Sequence, residues 1–340
     1  TVALTTNGTN GNVTLVNDVG LAFAASTVDG TLSATATTGN MTDSGALTIS
    51  GTSAFITSAN NATIALDTTT NAFTGALTLT TNDDDGTDAN VTIDGGTTAL
   101  VIAASTVDGN LTLTSGNASG ITDSGTLTIG GNLSAITDAN SGVVSLGTLA
   151  VDGTIALTTN GTGDALVVND AGLTFAASTV GQDLTATATT GNIIDNATVT
   201  VGRNLAVTAT ADDATINLGT LAVDGTVALT TNGTNGNVTL VNDVGLAFAA
   251  STVDGTLSAT ATTGNMTDSG ALTISGTSAF ITSANNATIA LDTTTNAFTG
   301  ALTLTTNDDD GTDANVTIDG GTTALVIAAS TVDGNLTLTS

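Results

Sequence analysis

The sequence predicts an all-β protein: a right-handed parallel β-solenoid with about 25 residues per coil and nine coils in each 225-residue repeat. Three observations lead to this prediction. The chain repeats itself, its composition favours strands and turns over helices, and its apolar residues alternate with polar ones.

The repeat is the clearest of these observations. Residues 226–340 are identical to residues 1–115, so one full repeat spans residues 1–225. Within it a weaker near-repeat begins at Leu21 (LAFAASTVDG), recurs at Leu100 (LVIAASTVDG) and Leu173 (LTFAASTVGQ), and returns at Leu246. Each near-repeat divides into three pieces of about 25 residues, a length that suits one coil. We therefore predict one continuous solenoid over residues 1–340, in which residues 1–225 are the first repeat and residues 226–340 a partial second one.

The composition supports strands joined by tight turns. Thr and Val favour strands, while Gly, Asn and Asp favour turns, and the chain contains no Pro to interrupt a ladder. A helical repeat is excluded because Glu and Lys are both missing, and propeller blades are longer, at about 40–50 residues. Tandem β-sandwich domains of about 75 residues remain an alternative. They would not explain why a similar motif recurs in each of the shorter pieces.

Apolar residues alternate with Thr, Ser and Ala in the second strand of successive pieces, which assigns the apolar set to the interior. This interior set is Leu111, Leu113, Leu133, Ala135, Ile155, Leu157, Leu184, Ala186, Leu205 and Val207. We expect one buried ladder along the axis from Leu111, Leu133, Ile155, Leu184 and Leu205. We expect a second column from Phe23, Ile102, Phe175 and Phe248. The intervening positions, such as Thr112 and Thr114, should face solvent.

Strands of the LTLTSG type, followed by ITDSGTLTIGGNL (Ile121 to Leu133) and GNIIDNATVTVGRNLAVTA (Gly191 to Ala209), carry a resemblance. In this style of repeat the chain resembles, over its whole length, the β-helical regions of large bacterial surface proteins, the filamentous-haemagglutinin-like adhesins. The resemblance implies secretion, a long shaft, and a role in adhesion or biofilm. It brings no catalytic residues. The identity between copies is a departure, because the repeats of such shafts commonly diverge.

The charge and the missing residue types exclude several functions. A net charge of −29 with a single basic residue excludes nucleic acid as a partner, and no apolar run is long enough for membrane insertion. Without His, Cys, Lys, Tyr or Glu, the chain lacks the usual general bases and nucleophile partners. We therefore expect no enzyme, no catalytic residue and no cofactor-binding residue.

The expected function is the structural shaft of an extracellular or cell-surface filament or adhesin. The alternative is a binding module that uses its repeated face for carbohydrate, calcium or ice. Expected partners are other copies of the chain, through lateral or end-to-end filament assembly, divalent cations and carbohydrate. Because Ser340 falls inside a coil, we also expect the chain to be a window of a longer polypeptide made of further 225-residue units.

One acidic loop is the strongest candidate for a metal site. Its carboxylates are Asp83, Asp84, Asp85 and Asp88, and they recur as Asp308, Asp309, Asp310 and Asp313. Clustered carboxylates beside a Gly turn suit Ca²⁺, which takes six to eight oxygen ligands. The spacing matches neither an EF-hand nor the Gly-Gly-x-Gly-x-Asp repeat of calcium-binding β-rolls. A solvated acidic loop and a Ca²⁺ site therefore both remain open.

Overall fold

The computed structural model describes, apart from the side chain of Asn140, residues 1–8, 10–82, 89–307 and 313–340. The chain divides into two compact units, Thr1–Asp170 and Ala171–Ser340. Both consist of short parallel strands, and the described residues contain no helix, hence none that could cross a membrane. The predicted all-β class and parallel β-solenoid are confirmed, with about 15 turns counted over the two units.

In its described residues the first unit has twenty strands: β1 Val13–Asn17, β2 Leu21–Phe23, β3 Ser26–Val28, β4 Leu32–Ala36, β5 Met41–Asp43, β6 Leu47–Ile49, β7 Ser53–Thr57, β8 Ile64–Leu66, β9 Ala72–Phe73, β10 Leu77–Thr80, β11 Val91–Asp94, β12 Leu100–Ile102, β13 Ser105–Val107, β14 Leu111–Ser115, β15 Ile121–Asp123, β16 Leu127–Ile129, β17 Leu133–Asn140, β18 Val144–Val151, β19 Thr154–Asn160 and β20 Ala165–Asn169.

These strands form the two faces of the first unit. Sheet 1a contains β1, β4, β7, β10, β12, β13, β15, β16, β18 and β20, and sheet 1b contains β2, β5, β8, β11, β14, β17 and β19. Strands β3, β6 and β9 pair with one another beside sheet 1b. They belong to the same face, because Val2 bridges to Phe23 of β2 and Thr5, in the same segment, bridges to Thr27 of β3.

The second unit has twenty strands in its described residues: β21 Leu173–Phe175, β22 Ser178–Val180, β23 Leu184–Ala188, β24 Ile193–Asp195, β25 Val199–Val201, β26 Leu205–Asp212, β27 Ile216–Val223, β28 Thr226–Asn232, β29 Val238–Asn242, β30 Leu246–Phe248, β31 Ser251–Val253, β32 Leu257–Ala261, β33 Met266–Asp268, β34 Leu272–Ile274, β35 Ser278–Asn285, β36 Ile289–Leu291, β37 Ala297–Phe298, β38 Leu302–Asn307, β39 Val316–Asp319 and β40 Leu336–Thr339. Sheet 2a contains β21, β22, β24, β25, β27, β29, β32, β35 and β38, and sheet 2b contains the other eleven strands.

Each turn contributes one segment to each sheet of its unit. A segment is one straight strand, two short strands separated by a kink, as in β2 and β3, or one longer strand kinked by a register shift, as in β18. The length of a turn varies, since Val13 pairs with Leu32 on the next turn whereas Ile64 pairs with Val91. A turn averages about 21 residues, so the longer coil predicted from the sequence, with nine coils per repeat, is not confirmed. The near-repeat that starts at Leu21 holds seven segments, from β2 to β11, rather than the six that three coils would need.

The predicted alternation of buried and outward residues is confirmed. All ten residues assigned to the interior are buried, at no more than 1% exposure, while Thr112 and Thr114 are half-buried on the outer side. The prediction of a single ladder is wrong, because two ladders form, one in each unit. Leu111, Leu133 and Ile155 pair in register in sheet 1b. In sheet 2b, Leu184 pairs with Leu205.

The predicted column of Phe23, Ile102, Phe175 and Phe248 is also wrong. In the first unit, Phe23 lies in sheet 1b and Ile102 in sheet 1a, since the near-repeat is not a whole number of turns. The rings instead cluster in the core as edge-to-face contacts. Phe55 lies 6.5 Å from Phe23 and 5.9 Å from Phe73, measured between ring centroids. The second unit repeats this cluster with Phe248, Phe280 and Phe298.

Glycine columns allow the turns to stack closely at the corners. The Gly51 N–H donates to the Gly30 carbonyl oxygen at 2.9 Å, one turn below. A Cβ atom on Gly51 would lie 2.5 Å from that oxygen, so no larger residue fits without a backbone shift. The VDG and ISG tripeptides of the sequence therefore mark corners that must be narrow.

Candidate functional site: polar clamps at the kinks of the solenoid

The kinked segments carry polar side chains whose hydrogen bonds recur in both units. At each kink the strand ladder is interrupted, and backbone N–H groups there need other partners, because an unpaired buried N–H is costly. Side chains of Ser, Asp and Asn on adjacent turns supply these partners. We call these side chains the polar clamps.

The first clamp uses the Ser of the AASTV motif. The Ser105 hydroxyl donates to the Ala103 carbonyl oxygen at 2.8 Å and accepts from the Leu79 N–H of the preceding turn at 3.0 Å. In the second unit Ser251 makes the same two bonds, with Ala249 and Leu229. The hydroxyl thus joins two turns where the backbone bends.

The second clamp uses an Asp carboxylate. Asp123 accepts hydrogen bonds from the Gly147 N–H at 3.0 Å and from the N–H and hydroxyl of Thr148, both at 2.7 Å. The register of β18 shifts between Leu146 and Leu149, which leaves these N–H groups outside the ladder. Asp195 holds Gly219 and Thr220 in the same way in the second unit.

The third clamp uses a buried Asn on the following turn. Asn169 is 1% exposed, accepts from the Val151 N–H at 2.9 Å and donates to the Val151 carbonyl oxygen at 3.1 Å. Asn242 makes the equivalent bonds with Val223. Asp and Asn clamps therefore hold one irregular segment from both sides.

An Asn ladder runs along one corner of the first unit. The Asn90 side-chain oxygen accepts from the Asn110 N–H, and the Asn110 side-chain oxygen accepts from the Asn132 N–H, both at 2.7 Å. Asn132 continues the ladder to the N–H of Thr154 at 2.8 Å. Every hydrogen bond of the ladder joins one turn to the next, so these side chains hold successive turns together.

Among the described residues, the carboxyl groups of Asp94 and Asp183 have shifted pKa values. Burial raises the pKa of Asp94, and the carboxylates of Asp138, Asp67 and Asp43 raise it further, while a hydrogen bond from the Gly96 N–H partly lowers it. In the second unit, hydrogen bonds from the Arg203 guanidinium hold the pKa of Asp183 below its usual range. The Arg203 Nε–H donates to Asp183 at 2.7 Å, and a second guanidinium N–H donates to the other carboxylate oxygen.

Most of the predicted metal-binding residues cannot be placed. Asp83, Asp84, Asp85, Asp88, Asp308, Asp309 and Asp310 lie outside the described residues. Asp313 is described and exposed, and its backbone carbonyl accepts from the Asn315 N–H at 2.8 Å. Across the described part of the chain, no three Asp residues are grouped in a way that could hold a metal ion.

Two open hollows lie on the surface of the second unit. One, of about 280 Å³, is lined by Asp224, Val244 and Asn265 among others. The other, of about 230 Å³, is lined by Thr198, Thr220, Asp243 and Thr262 together with Gly219, Leu221 and Val241. Their polar lining residues are Thr, Asn and Asp.

The sequence did not predict the clamps, although it holds a signal for them. Asp123 precedes Gly147-Thr148, and Asp195 precedes Gly219-Thr220 by the same interval. That spacing is close to one turn, and the pair recurs in the same order. Together with the chemistry of the side chains, it points to a contact between adjacent turns.

Comparison with known proteins places the chain in a family. A search of curated proteins and a search of solved structures each found no match. The profile of one family matches residues 10–80, 88–144 and 235–305, which is more than half of the chain. The chain therefore belongs to the family described as repeats of unknown function, DUF5649.

Proposed function

We propose that the chain is the structural shaft of a secreted or surface-attached filament or adhesin, with a role in attachment, extracellular matrix or biofilm. The polar clamps are the observation that supports this most. In both units, the Asp, Asn and Ser side chains at the kinks bond to adjacent turns, so they contribute to cohesion. The proposal includes right-handed winding, since parallel crossover connections are almost always right-handed. It also includes kinship with filamentous-haemagglutinin-like adhesins.

An inert scaffold fits the residue chemistry better than an enzyme. The chain has no His, Cys, Lys, Tyr or Glu to act as base or nucleophile partner. The Asp123 carboxylate, which could otherwise serve as a base, accepts three hydrogen bonds from the next turn. We therefore propose no catalytic role and no cofactor.

Surface labelling tests the extracellular shaft directly. Antibodies raised against the purified chain should label intact cells of the source organism as strongly as permeabilised cells. Deletion of the gene should remove the label together with cell attachment or surface filaments. Labelling that needs permeabilisation, or unchanged attachment after deletion, would contradict the proposal.

Divalent cations and other copies of the chain are the proposed partners. A chain with 29 net negative charges repels its neighbours, and divalent cations screen and bridge carboxylates. Millimolar Ca²⁺ should therefore raise the melting temperature or promote association, with the loop around Asp83–Asp88 as the proposed site. Sedimentation in CaCl₂ and in EDTA measures this. Equal sedimentation and melting in both would exclude calcium as a partner.

A binding module for carbohydrate is the second candidate function. The 230 Å³ hollow favours it, because Thr198, Thr220, Thr262 and Asp243 are among the residues that line it. Hydroxyls and carboxylates are groups that hydrogen-bond sugars. A glycan array probed with the chain and with Asp243→Ala tests this. Loss of a signal in the variant would support binding, and no signal with either protein would exclude it.

A further inference from the structure

The AASTV motif lies on opposite sheets in successive near-repeats of the first unit. In the near-repeat that starts at Leu21, the motif forms β2 and β3, on the face of sheet 1b. In the near-repeat that starts at Leu100, it forms β12 and β13, which pair with β10 in sheet 1a. The same motif therefore faces one side of the unit and then the other.

The second unit shows the same alternation. The motif at Leu173 forms β21 and β22 in sheet 2a, and the motif at Leu246 forms β30 and β31 in sheet 2b. The third motif of this unit returns to sheet 2a, because Ile327 bridges to Leu302 and Thr331 bridges to Thr305 of β38.

The number of segments explains this alternation. In the described residues, six segments separate β2–β3 from β12–β13, and six separate β21–β22 from β30–β31. Each near-repeat is therefore seven segments long. With two segments per turn, seven segments are three and a half turns.

The contacts of the motif are the same on either face. The Ser26, Ser105 and Ser251 hydroxyls each accept from a Leu N–H of the preceding turn, at 3.0, 3.0 and 3.1 Å. The N–H groups of Leu21, Leu100 and Leu246 each donate to a carbonyl of the following turn, at 2.9 Å. The motif can therefore make these hydrogen bonds on either sheet, provided that the same kinds of turn precede and follow it.

We propose that each near-repeat shifts the winding of the solenoid by half a turn, and we call it a half-turn unit. Its gain or loss preserves the contacts between turns, and it moves every strand that follows to the opposite sheet relative to the strands before it. Two such events restore the original side. Whether the number of near-repeats before a segment is odd or even then decides which side of a shaft presents that segment. The identity of residues 226–340 with residues 1–115 shows that this sequence does duplicate.

Deletion of residues 21–99, one near-repeat of the first unit, tests the proposal. The deletion joins Gly20 to Leu100, so Leu111–Ser115 should replace Leu32–Ala36 as the partner of β1. In the full chain Val16 pairs with Thr35, whereas Thr114 belongs to the other sheet and pairs with Ile136. After the deletion Val16 should pair with Thr114.

Engineered cysteine pairs report this change, and the chain has no native cysteine to interfere. Neighbouring parallel strands are about 4.8 Å apart, which is within the Cα separation that a disulfide accepts. Under oxidation by copper-phenanthroline and air, V16C/T114C should cross-link in the deletion variant and not in the full chain. The positive control is V16C/T35C in the full chain. A disulfide from V16C/T114C in both proteins, or in neither, would overturn the proposal.

A whole-turn deletion provides the matched comparison. Removal of residues 21–110 takes out eight segments, which is four complete turns, and puts a straight strand where the motif belongs. We expect the deletion of three and a half turns to keep the β-sheet circular dichroism and cooperative melting of the full chain. We expect the deletion of four turns to melt at a lower temperature. The reverse order, or failure of the residue 21–99 deletion to fold, would refute the half-turn unit.

Discussion

Residues 100–115 and 325–340 have the same sequence and different structures. In the first copy β12, β13 and β14 are covered by the next turn, and Leu111 and Leu113 are 0% exposed. In the second copy only β40 and two isolated bridges form, and Leu336 and Leu338 are 43% and 42% exposed. Within these 340 residues, the second copy has a neighbouring turn on one side only. The same sequence is therefore buried, and its motif forms strands, only where a turn lies on both sides, as expected when each repeat buries its apolar face only against its neighbours.

The largest effect should come from a core leucine of the covered copy. Leu113→Ala should lower the free energy of unfolding by about 3 kcal/mol, because it opens a cavity in a packed interior. Leu338→Ala removes the same atoms from a half-exposed side chain and should cost less than about 1 kcal/mol. Urea unfolding of both variants measures the difference. Equal losses would contradict the role assigned to the covering turn.

The Asn ladder gives a second matched pair. Asn110 accepts from the Asn132 N–H of the covering turn, whereas the Asn335 side chain makes no hydrogen bond in the described part of the chain. Asn110→Ala should therefore destabilise by about 1 kcal/mol, the usual worth of such a bond. Asn335→Ala should be nearly neutral. Thermal melting of the two variants tests this, and a larger loss for Asn335→Ala would reverse the comparison.

Two buried serines, one in each sequence copy, provide a comparison in which both copies are covered by a neighbouring turn. Ser53 and Ser278 are each 2% exposed, and their hydroxyl oxygens have no hydrogen-bond partner among the described residues. Replacement by Ala removes a desolvated hydroxyl and should stabilise by up to about 1 kcal/mol. Ser53→Ala and Ser278→Ala should have equal effects on the urea midpoint. Unequal effects would mean that the two covered copies differ after all.

The smallest effect concerns the acidity of Asp94. Because folding raises the pKa of Asp94, the ionised carboxylate destabilises the folded state. This loss of stability begins as pH rises past the pKa of the unfolded state and is complete above the pKa of the folded state. Asp94→Asn should stabilise at pH 7 by less than about 1 kcal/mol, since the side chain is only partly buried, and the gain should vanish at acidic pH. Melting at pH 3 and pH 7 measures it.

Asp138→Asn is the control for this change. Asp138 lies on the turn that covers the first copy, and its carboxylate contributes to the raised pKa of Asp94. The gain from Asp94→Asn at pH 7 should therefore be smaller in a protein that already carries Asp138→Asn. An equal gain in both proteins would remove Asp138 from the explanation.

The sequence predicted what depends on local geometry. Leu111 and Leu113 were placed in the core correctly because side chains alternate strictly along a strand. The predicted coil length was not confirmed, because a turn is defined by pairing, and the turn that begins at Val13 is much shorter than the one that begins at Ile64. Division of the near-repeat into three pieces assumed a whole number of turns, and that assumption misplaced Phe23 and Ile102.

The polar clamps could not be derived for a related reason. Asp123 contacts Thr148, which is 25 residues later, and Asn169 contacts Val151, which is 18 residues earlier. Such partners become evident only when the register of adjacent turns is known. The candidate calcium loop was predicted from carboxylates clustered along the sequence beside a Gly, and such a cluster does not show whether the carboxylates converge on one point.

The stacking of turns also has a mechanical consequence. One turn adds about 4.8 Å along the axis, yet its roughly 21 residues would span about 70 Å if pulled straight. Tension applied to one end would load the ladder of the outermost turn first, and that turn could peel away while those beneath it keep their bonds. Each turn is thus a reserve of length about fifteen times its own height. A solenoid built this way would lengthen in small steps under tension and dissipate the load.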